Sequence, residues 1–273
     1  MIVVLVVFTF IVLAIASIAD LKTREVQDYL SYGLIFSAMG IRLIYGVFDW
    51  HVIVSGILGV GVMYLLALLF YYTGQWGGGD SKLLIGMGAV IGIAYPFGLS
   101  SFAVLYYMLL VLAIGAIYGV IYLIIIAILN RKKFSLQFKK EFKDNIKIVK
   151  LVLFFSLGFL IAGLFFKFLL VLVVFPIGFY LLYLFVISVE NSCFIVDTKI
   201  LKVTEGDWLY EDVRLNGKRL MSKRTLERED LLKLKKLAKI HHLSSVKIRI
   251  GIPFVPSFLF AYIVFIIFPV FGI

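Results

Sequence analysis

The sequence has one cysteine and five prolines, and charged residues make up only 16% of its 273 residues. A single cysteine excludes a disulfide within the chain, and the three histidines complete no zinc ligand set with it. We therefore expect neither a metal nor a cofactor. Acidic residues are scarce beside basic ones, and the net charge is +11. The few acids that lie beside apolar segments are thus the first candidates for chemistry.

Apolar residues, in contrast, make up 63% of the chain, which is more than one soluble core of this length would bury. Several apolar runs exceed the roughly 18 residues that indicate a membrane-spanning helix. The sequence predicts a polytopic α-helical membrane protein, with six core spans, an extra helical hairpin and a small α+β cytoplasmic domain. The first apolar run, residues 1–19, has no basic front or cleavable tail and is predicted to be a retained helix.

Apolar and basic stretches divide the chain into five predicted parts. Residues 1–129 are expected to form a membrane core of five spans, which carries the candidate catalytic residues. Residues 251–273 are expected to form the last span. Residues 130–150 are expected to form a basic cytoplasmic loop, and residues 190–250 a cytoplasmic α+β domain with strand-like alternation. The apolar insert at 151–189 could cross once as an overlong helix, but we favour a hairpin because two crossings keep both basic segments on one side.

Lysines and arginines are concentrated in a few places. All but two of the 27 lie within residues 20–28, 73–82, 130–150 and 191–250. Basic residues collect in cytoplasmic loops, so these places predict the cytoplasmic face of a multi-pass plasma membrane protein. The expected partner of the positive charge is therefore the lipid bilayer and not nucleic acid. Arg42, one of the two exceptions, is expected to extend its side chain to the far membrane surface.

Two acids lie at the ends of apolar runs on the predicted cytoplasmic side. Asp20 closes the first run, and Asp80 ends the polar stretch Thr73-Gly-Gln-Trp-Gly-Gly-Gly-Asp80. A carboxylate beside hydrocarbon is costly unless it is paired, hydrated or used. Two facing carboxyls can share a proton, so that one activates water while the other polarises a peptide carbonyl. Asp20 and Asp80 are therefore the candidate catalytic pair of an aspartyl protease.

Neighbouring residues could shape this site or bind substrate. The candidates are Gly77, Gly78, Gly79, Lys22 and Lys82. Because residues 83–97 are too few to cross about 30 Å alone, their helix is expected to begin at or before Asp80. Simpler interpretations stay open: the glycines could form a loop before a helix cap, Asp20 could be a surface acid, and the lysines could be membrane-surface anchors.

The two stretches together resemble the type IV prepilin peptidase family, and in particular its archaeal preflagellin peptidase branch. One reads Asp20-Leu-Lys-Thr-Arg-Glu-Val-Gln-Asp28, and the other, Gly77-Gly-Gly-Asp80, matches the Gly-x-Gly-Asp signature shared with presenilin-type proteases. The resemblance implies that Asp20 and Asp80 are a cytoplasmic catalytic pair. It also implies that a short basic leader is cut from preflagellin or prepilin-like precursors.

The sequence departs from the bacterial relatives of this family, which usually have Ile-Pro-Asn where this chain has Val26-Gln27-Asp28. Those relatives also carry a cysteine-bearing cytoplasmic segment and methylate the new amino terminus. Because this chain has only one cysteine, we expect no methyltransferase activity here. Two other functions stay open. One is a presenilin-type intramembrane protease of broader specificity, and the other is a transporter that couples to protons or cations. The absence of matching inverted halves counts against transport.

Overall fold

A computed structural model describes residues 1–47, 49–204, 206–215, 218–222, 225–241 and 244–268. The chain forms two compact units: the first is Met1–Val120 with Ile252–Ile273, and the second is Ile121–Gly251. The boundary at Val120 differs from the predicted one after residue 129, because one long helix continues from the first unit into the second.

The first unit is a bundle of apolar helices. Its helices are α1 (Ile2–Thr23), α2 (Asp28–Gly46), α3 (Trp50–Tyr72), α4 (Gly78–Ile91), the first part of α5 (Ala103–Leu129) and α10 (Val255–Ile267). The facing sides of these helices bury one core, in which Leu13, Met63, Leu84 and Phe258 have no exposed surface. The expectation that the fourth helix begins at or before Asp80 is confirmed by its start at Gly78.

Helices α3 and α4 cross at two glycines. A Cβ atom on Gly59 would collide with the carbonyl oxygen of Gly88, and one on Gly88 would collide with the backbone of Gly59. Small residues allow helix backbones to approach closely inside a membrane. On its other side α4 packs against α2, where Gly86 leaves room for Leu34. The helix that carries Asp80 therefore lies between two neighbours and is held by both.

Gly59→Leu is expected to destabilise the first unit by about 1–3 kcal/mol, because a larger side chain forces α3 and α4 apart. Gly61→Leu is the matched control on the same helix, since no described atom lies within 4 Å of its Cβ position. Denaturant unfolding of both variants in one detergent measures the difference. Equal unfolding free energies for the two would contradict the close crossing.

The environment of Arg42 differs from the expectation. Its side chain does not reach the far surface: it is 4% exposed, and its guanidinium group donates to carbonyl oxygens at the carboxyl end of α4. Helix α4 has only 14 residues and ends at Ile91, where Gly92 adopts a φ of 71°. The last carbonyls of a helix have no partner within it. Inside the bundle they attract the buried arginine, and this overrides its tendency to extend to water.

The second unit combines helices with a small amount of sheet. Its helices after α5 are α6 (Arg131–Asp144), α7 (Ile146–Phe165), α8 (Val174–Cys193) and α9 (Arg228–His241). Its strands are β1 (Ile195–Lys199), β2 (Trp208–Leu209), β3 (Val213–Leu215), β4 (Lys218–Met221) and β5 (Ser245–Arg249). The antiparallel sheet has the order β1-β5-β2, and β3 pairs with β4. Leu209, Leu226 and Leu234 lie in the core of this part.

The basic segment at 130–150 is not the loop that was expected. It forms α6 and the start of α7, because its Lys, Gln and Glu residues favour helix and its aromatic residues have a surface to pack on. The ring of Phe134 lies 5.5 Å from that of Phe185 on α8. The apolar insert forms two helices, α7 and α8, with a break at Phe166 and a 3₁₀ turn over Lys167–Val173.

Five helical stretches of the described residues are long and apolar enough to cross a membrane. They are Val3–Thr23, Trp50–Tyr72, Leu99–Leu129, Ile146–Phe165 and Lys167–Cys193. The sequence-based expectation counted further spans at α2, α4 and α10. Among these α4 and α10 are short, with 14 and 13 residues. The chain is a mostly helical, polytopic protein with a small strand-containing region, and its number of crossings stays a prediction.

Candidate catalytic site

Asp20 lies in the last turn of α1 and is buried, with 5% of its surface exposed. Its Oδ2 atom accepts a hydrogen bond of 2.9 Å from the backbone N–H of Val255, the first residue of α10. The N–H of Phe254 donates to the same carboxylate. Free N–H groups at the start of a helix stabilise negative charge. Asp20, near the amino terminus of the chain, therefore caps α10, which lies near the carboxyl terminus.

Asp80 lies in the first turn of α4, three residues after the capping residue Gly77. The Asp80 carboxylate accepts from the backbone N–H of Gly77, as an acid at this position of a capping box accepts from the capping residue. The side chain is partly exposed. The carboxyls of Asp20 and Asp80 lie within range of direct electrostatic interaction. The structure thus places the two acids that the sequence analysis paired near enough to influence each other's charge.

The sequence stretches around the two acids also contact each other. We call residues 20–28 the first motif and residues 77–82 the second motif. A Cβ atom on Gly79 would lie 2.9 Å from the Cβ of Val26, so the two motifs touch at a place where only glycine fits without a shift. At Gly77 and Gly78 the nearest atoms would lie 3.6 Å and 3.9 Å away, which is ordinary contact. Among the three predicted glycines, Gly79 is the one that the close approach requires.

The two candidate lysines have different environments. The Nζ atom of Lys82 donates to Oδ1 of Asp28 at 2.6 Å and lies 5.4 Å from the centre of the Tyr32 ring. This ion pair joins the second motif to the end of the first. Lys22 is exposed in the last turn of α1, as a membrane-surface anchor would be.

Aromatic residues that the sequence analysis did not single out close one side of the site. The ring of Trp76 lies 4.6 Å from Phe70 and 5.5 Å from both Phe254 and Phe258. It joins the polar loop before Asp80 to the start of α10, where the N–H donors to Asp20 lie. A tryptophan within a glycine-rich loop was the available signal, because an apolar ring there needs a buried partner.

Each motif also contains a polar side-chain atom that is buried. Ser81 Oγ and Gln27 Oε1 are buried and have no hydrogen-bond partner in the part of the chain that the structure describes. Buried polar atoms of this kind are normally satisfied by water or a ligand. The described residues contain no group of three or more His, Cys, Asp or Glu side chains that could hold a metal ion.

Breaking the ion pair between Lys82 and Asp28 is expected to have a small effect on stability. The two side chains are 35% and 62% exposed, and exposed pairs contribute about 0–1 kcal/mol because water screens them. A double-mutant cycle with Lys82→Met and Asp28→Asn, followed by denaturant unfolding, measures their coupling. A coupling well above this range would contradict the screening.

A comparison with known protein families covers the part of the chain that contains both motifs. Residues 7–129 match the type IV leader peptidase family. A preflagellin peptidase of Methanococcus maripaludis is 33% identical over 85 residues, which are 29% of this chain and 35% of that protein. One of Methanocaldococcus jannaschii is 38% identical over 84 residues, 29% of this chain and 34% of its own length. One of Methanococcus voltae is 36% identical over 87 residues, with coverage of 31% and 37%.

This chain thus spans about a third of the length of the curated relatives that it matches. No solved structure matches it significantly. Residues 7–129 hold most of α1 and all of α2 to α5, and therefore both motifs and the contact between them. Phe254 and Val255, which donate to Asp20, lie outside this range. Over residues 7–129, which are a little under half of its length, the chain is similar to the type IV leader peptidase family.

Proposed function

We propose that this chain is a membrane aspartyl endopeptidase that removes a short basic leader from preflagellin or prepilin-like precursors. The observation that carries the proposal is the contact between the two motifs, where Gly79 lies against Val26 and Lys82 binds Asp28. The names of the curated relatives support the substrate class, since each is a preflagellin peptidase.

In the proposed mechanism the two aspartates share one proton. The ionised carboxylate takes a proton from a water molecule, whose oxygen attacks the carbonyl carbon of the scissile peptide bond. The protonated carboxyl donates to the carbonyl oxygen, so that negative charge does not build up there. When the tetrahedral intermediate collapses, the amine leaves with a proton from the pair. The titration belongs to the two groups together.

The charge distribution supports a cytoplasmic site. The first motif includes the end of α1 and the second includes the start of α4, and both belong to the regions in which basic residues collect. A basic leader on an anionic membrane surface would lie beside Asp20, Glu25 and Asp28, which compensates for the repulsion expected from a protein with a net charge of +11. The hydrophobic segment of the precursor would stay in the bilayer.

Purified protein in liposomes, incubated with a purified preflagellin, tests the proposal. Mass spectrometry of the products should show a single cut between the basic leader and the apolar segment. A cut within the apolar helix would replace the proposal with an intramembrane protease of broader specificity. No cleavage together with proton uptake by the vesicles would indicate a transporter and overturn the proposal.

A further inference from the structure

Arg42 has an unusually complete set of partners for a charged residue inside an apolar bundle. Its Nε atom donates to the carbonyl oxygen of Ala89 at 2.7 Å, and Nη2 donates to those of Val90 and Ile91 at 2.8 Å and 3.0 Å. Its Nη1 atom donates to the carbonyl oxygen of Val52 at 3.0 Å and to Ser55 Oγ at 3.3 Å. All five N–H donors of the guanidinium group are therefore used. Three of the five acceptors are the last carbonyls of α4.

Glycines make room for this side chain. A Cβ atom on Gly56 of α3 would lie 2.6 Å from Cδ of Arg42, and one on Gly92 would lie 2.6 Å from its Nη2 atom. Gly92 also has a φ of 71°, which favours glycine, and its neighbour Ile93 donates its N–H to the carbonyl oxygen of Ser55. The space around the guanidinium group is thus built by residues of α2, α3 and the turn after α4.

Helix α4 needs such a partner because it is short. Its 14 residues span about 21 Å, less than the roughly 30 Å of a hydrocarbon core, so a helix with one end near the surface ends inside the bundle. Carbonyl groups at an end of this kind have no water to bond and require donors from the protein. The guanidinium group supplies them, and its positive charge lies at the negative end of the helix dipole.

We propose that Arg42 is the positioning residue of the catalytic site: by holding the carboxyl end of α4, it fixes the helix whose amino end carries Asp80. The effect of Arg42 on catalysis rests on the proposed function. Its effect on the position of α4 rests on the hydrogen bonds alone. An arginine suits the role better than a lysine, because its planar guanidinium group can donate to several carbonyls in different directions, whereas a lysine has a single compact ammonium group.

The test compares Arg42→Met, which removes all the donors, with Arg42→Lys, which keeps the charge and some of them. In Arg42→Met we expect kcat for precursor cleavage to fall by roughly tenfold to a hundredfold, with KM little changed, because substrate still binds while Asp80 is displaced. Arg42→Lys should recover part of this loss. Lys167→Met is the matched control: it also removes a basic residue from an apolar stretch, but Lys167 is exposed in the second unit.

A second measurement does not depend on cleavage. A zero-length carbodiimide coupling of Lys82 to Asp28, whose Nζ and Oδ1 atoms lie 2.6 Å apart, reports the position of α4 relative to α2. Its yield should fall in Arg42→Met and stay at the parental level in Lys167→Met. If Arg42→Met couples and cleaves as the parent does, the inference is overturned.

Two further outcomes are also decisive. If Arg42→Met does not accumulate, a reduced kcat at unchanged KM in Arg42→Lys supports the inference, and a parental kcat overturns it. If the parent itself cleaves no precursor, the proposed function fails, and the coupling yield alone decides whether Arg42 holds α4.

Discussion

Asp80→Asn protein is expected to leave a preflagellin at full length under conditions in which the parent cuts it. An amide can neither take a proton from water nor carry the shared proton, so the loss in rate should be about a hundredfold to ten-thousandfold. The same loss is expected for Asp20→Asn. Because the mechanism requires both residues, the cleavage rate of the double variant should be little lower than that of each single variant. Gel analysis of precursor incubated with membranes measures all of these.

Folding should survive both substitutions, which makes the result interpretable. An asparagine side-chain oxygen can still accept the N–H of Val255 in place of Asp20, and that of Gly77 in place of Asp80. Asp144→Asn is the matched control, since it changes an exposed acid at the end of α6 in the same way. Normal processing by either catalytic variant would contradict the proposed mechanism.

Gly79→Ala is expected to lower cleavage by roughly tenfold to a hundredfold, because the added methyl group separates the motifs that carry the two acids. Its Cβ would lie 2.9 Å from the Cβ of Val26, a rigid position close to the backbone. Initial rates of leader removal, normalised to the amount of protein in the membrane, measure the effect.

The neighbouring glycine and the opposing valine provide the controls for this prediction. Gly78→Ala adds the same methyl group where the nearest atom is 3.9 Å away, and its effect should be much smaller. Removal of the opposing side chain in the double variant Val26→Gly with Gly79→Ala should restore part of the lost rate. If Gly78→Ala and Gly79→Ala lowered the cleavage rate equally, the cause would be reduced flexibility at the start of α4 and not the contact between Gly79 and Val26.

The two candidate aspartates could be selected from the sequence because the selection depends on local signals. An acid at the end of an apolar run is costly, and a glycine run before a second acid is a recognisable motif, so Asp20 and Asp80 stood out without any knowledge of packing. The start of α4 before Asp80 could be expected too, since the length of the apolar run required it. The segment at 130–150 was predicted to be a loop but forms a helix, because that helix depends on packing against α8.

The donors to Asp20 could not be predicted from the sequence. Residues 254 and 255 are more than two hundred positions away along the chain, and their backbone N–H groups carry no side-chain signal. The environment of Arg42 was predicted wrongly for a related reason. Its partners are main-chain carbonyls, and they become available only because α4 ends inside the bundle.

The sequence by itself determined that this chain is a polytopic helical protein and which two acids are the candidate catalytic pair, because hydrophobic length and local motifs are properties of consecutive residues. Only the tertiary structure decided which of three glycines forms the contact between the motifs, what caps Asp20, and where Arg42 points. Those features depend on which backbone atoms come within bonding distance once the helices pack, and residue identities do not record that distance.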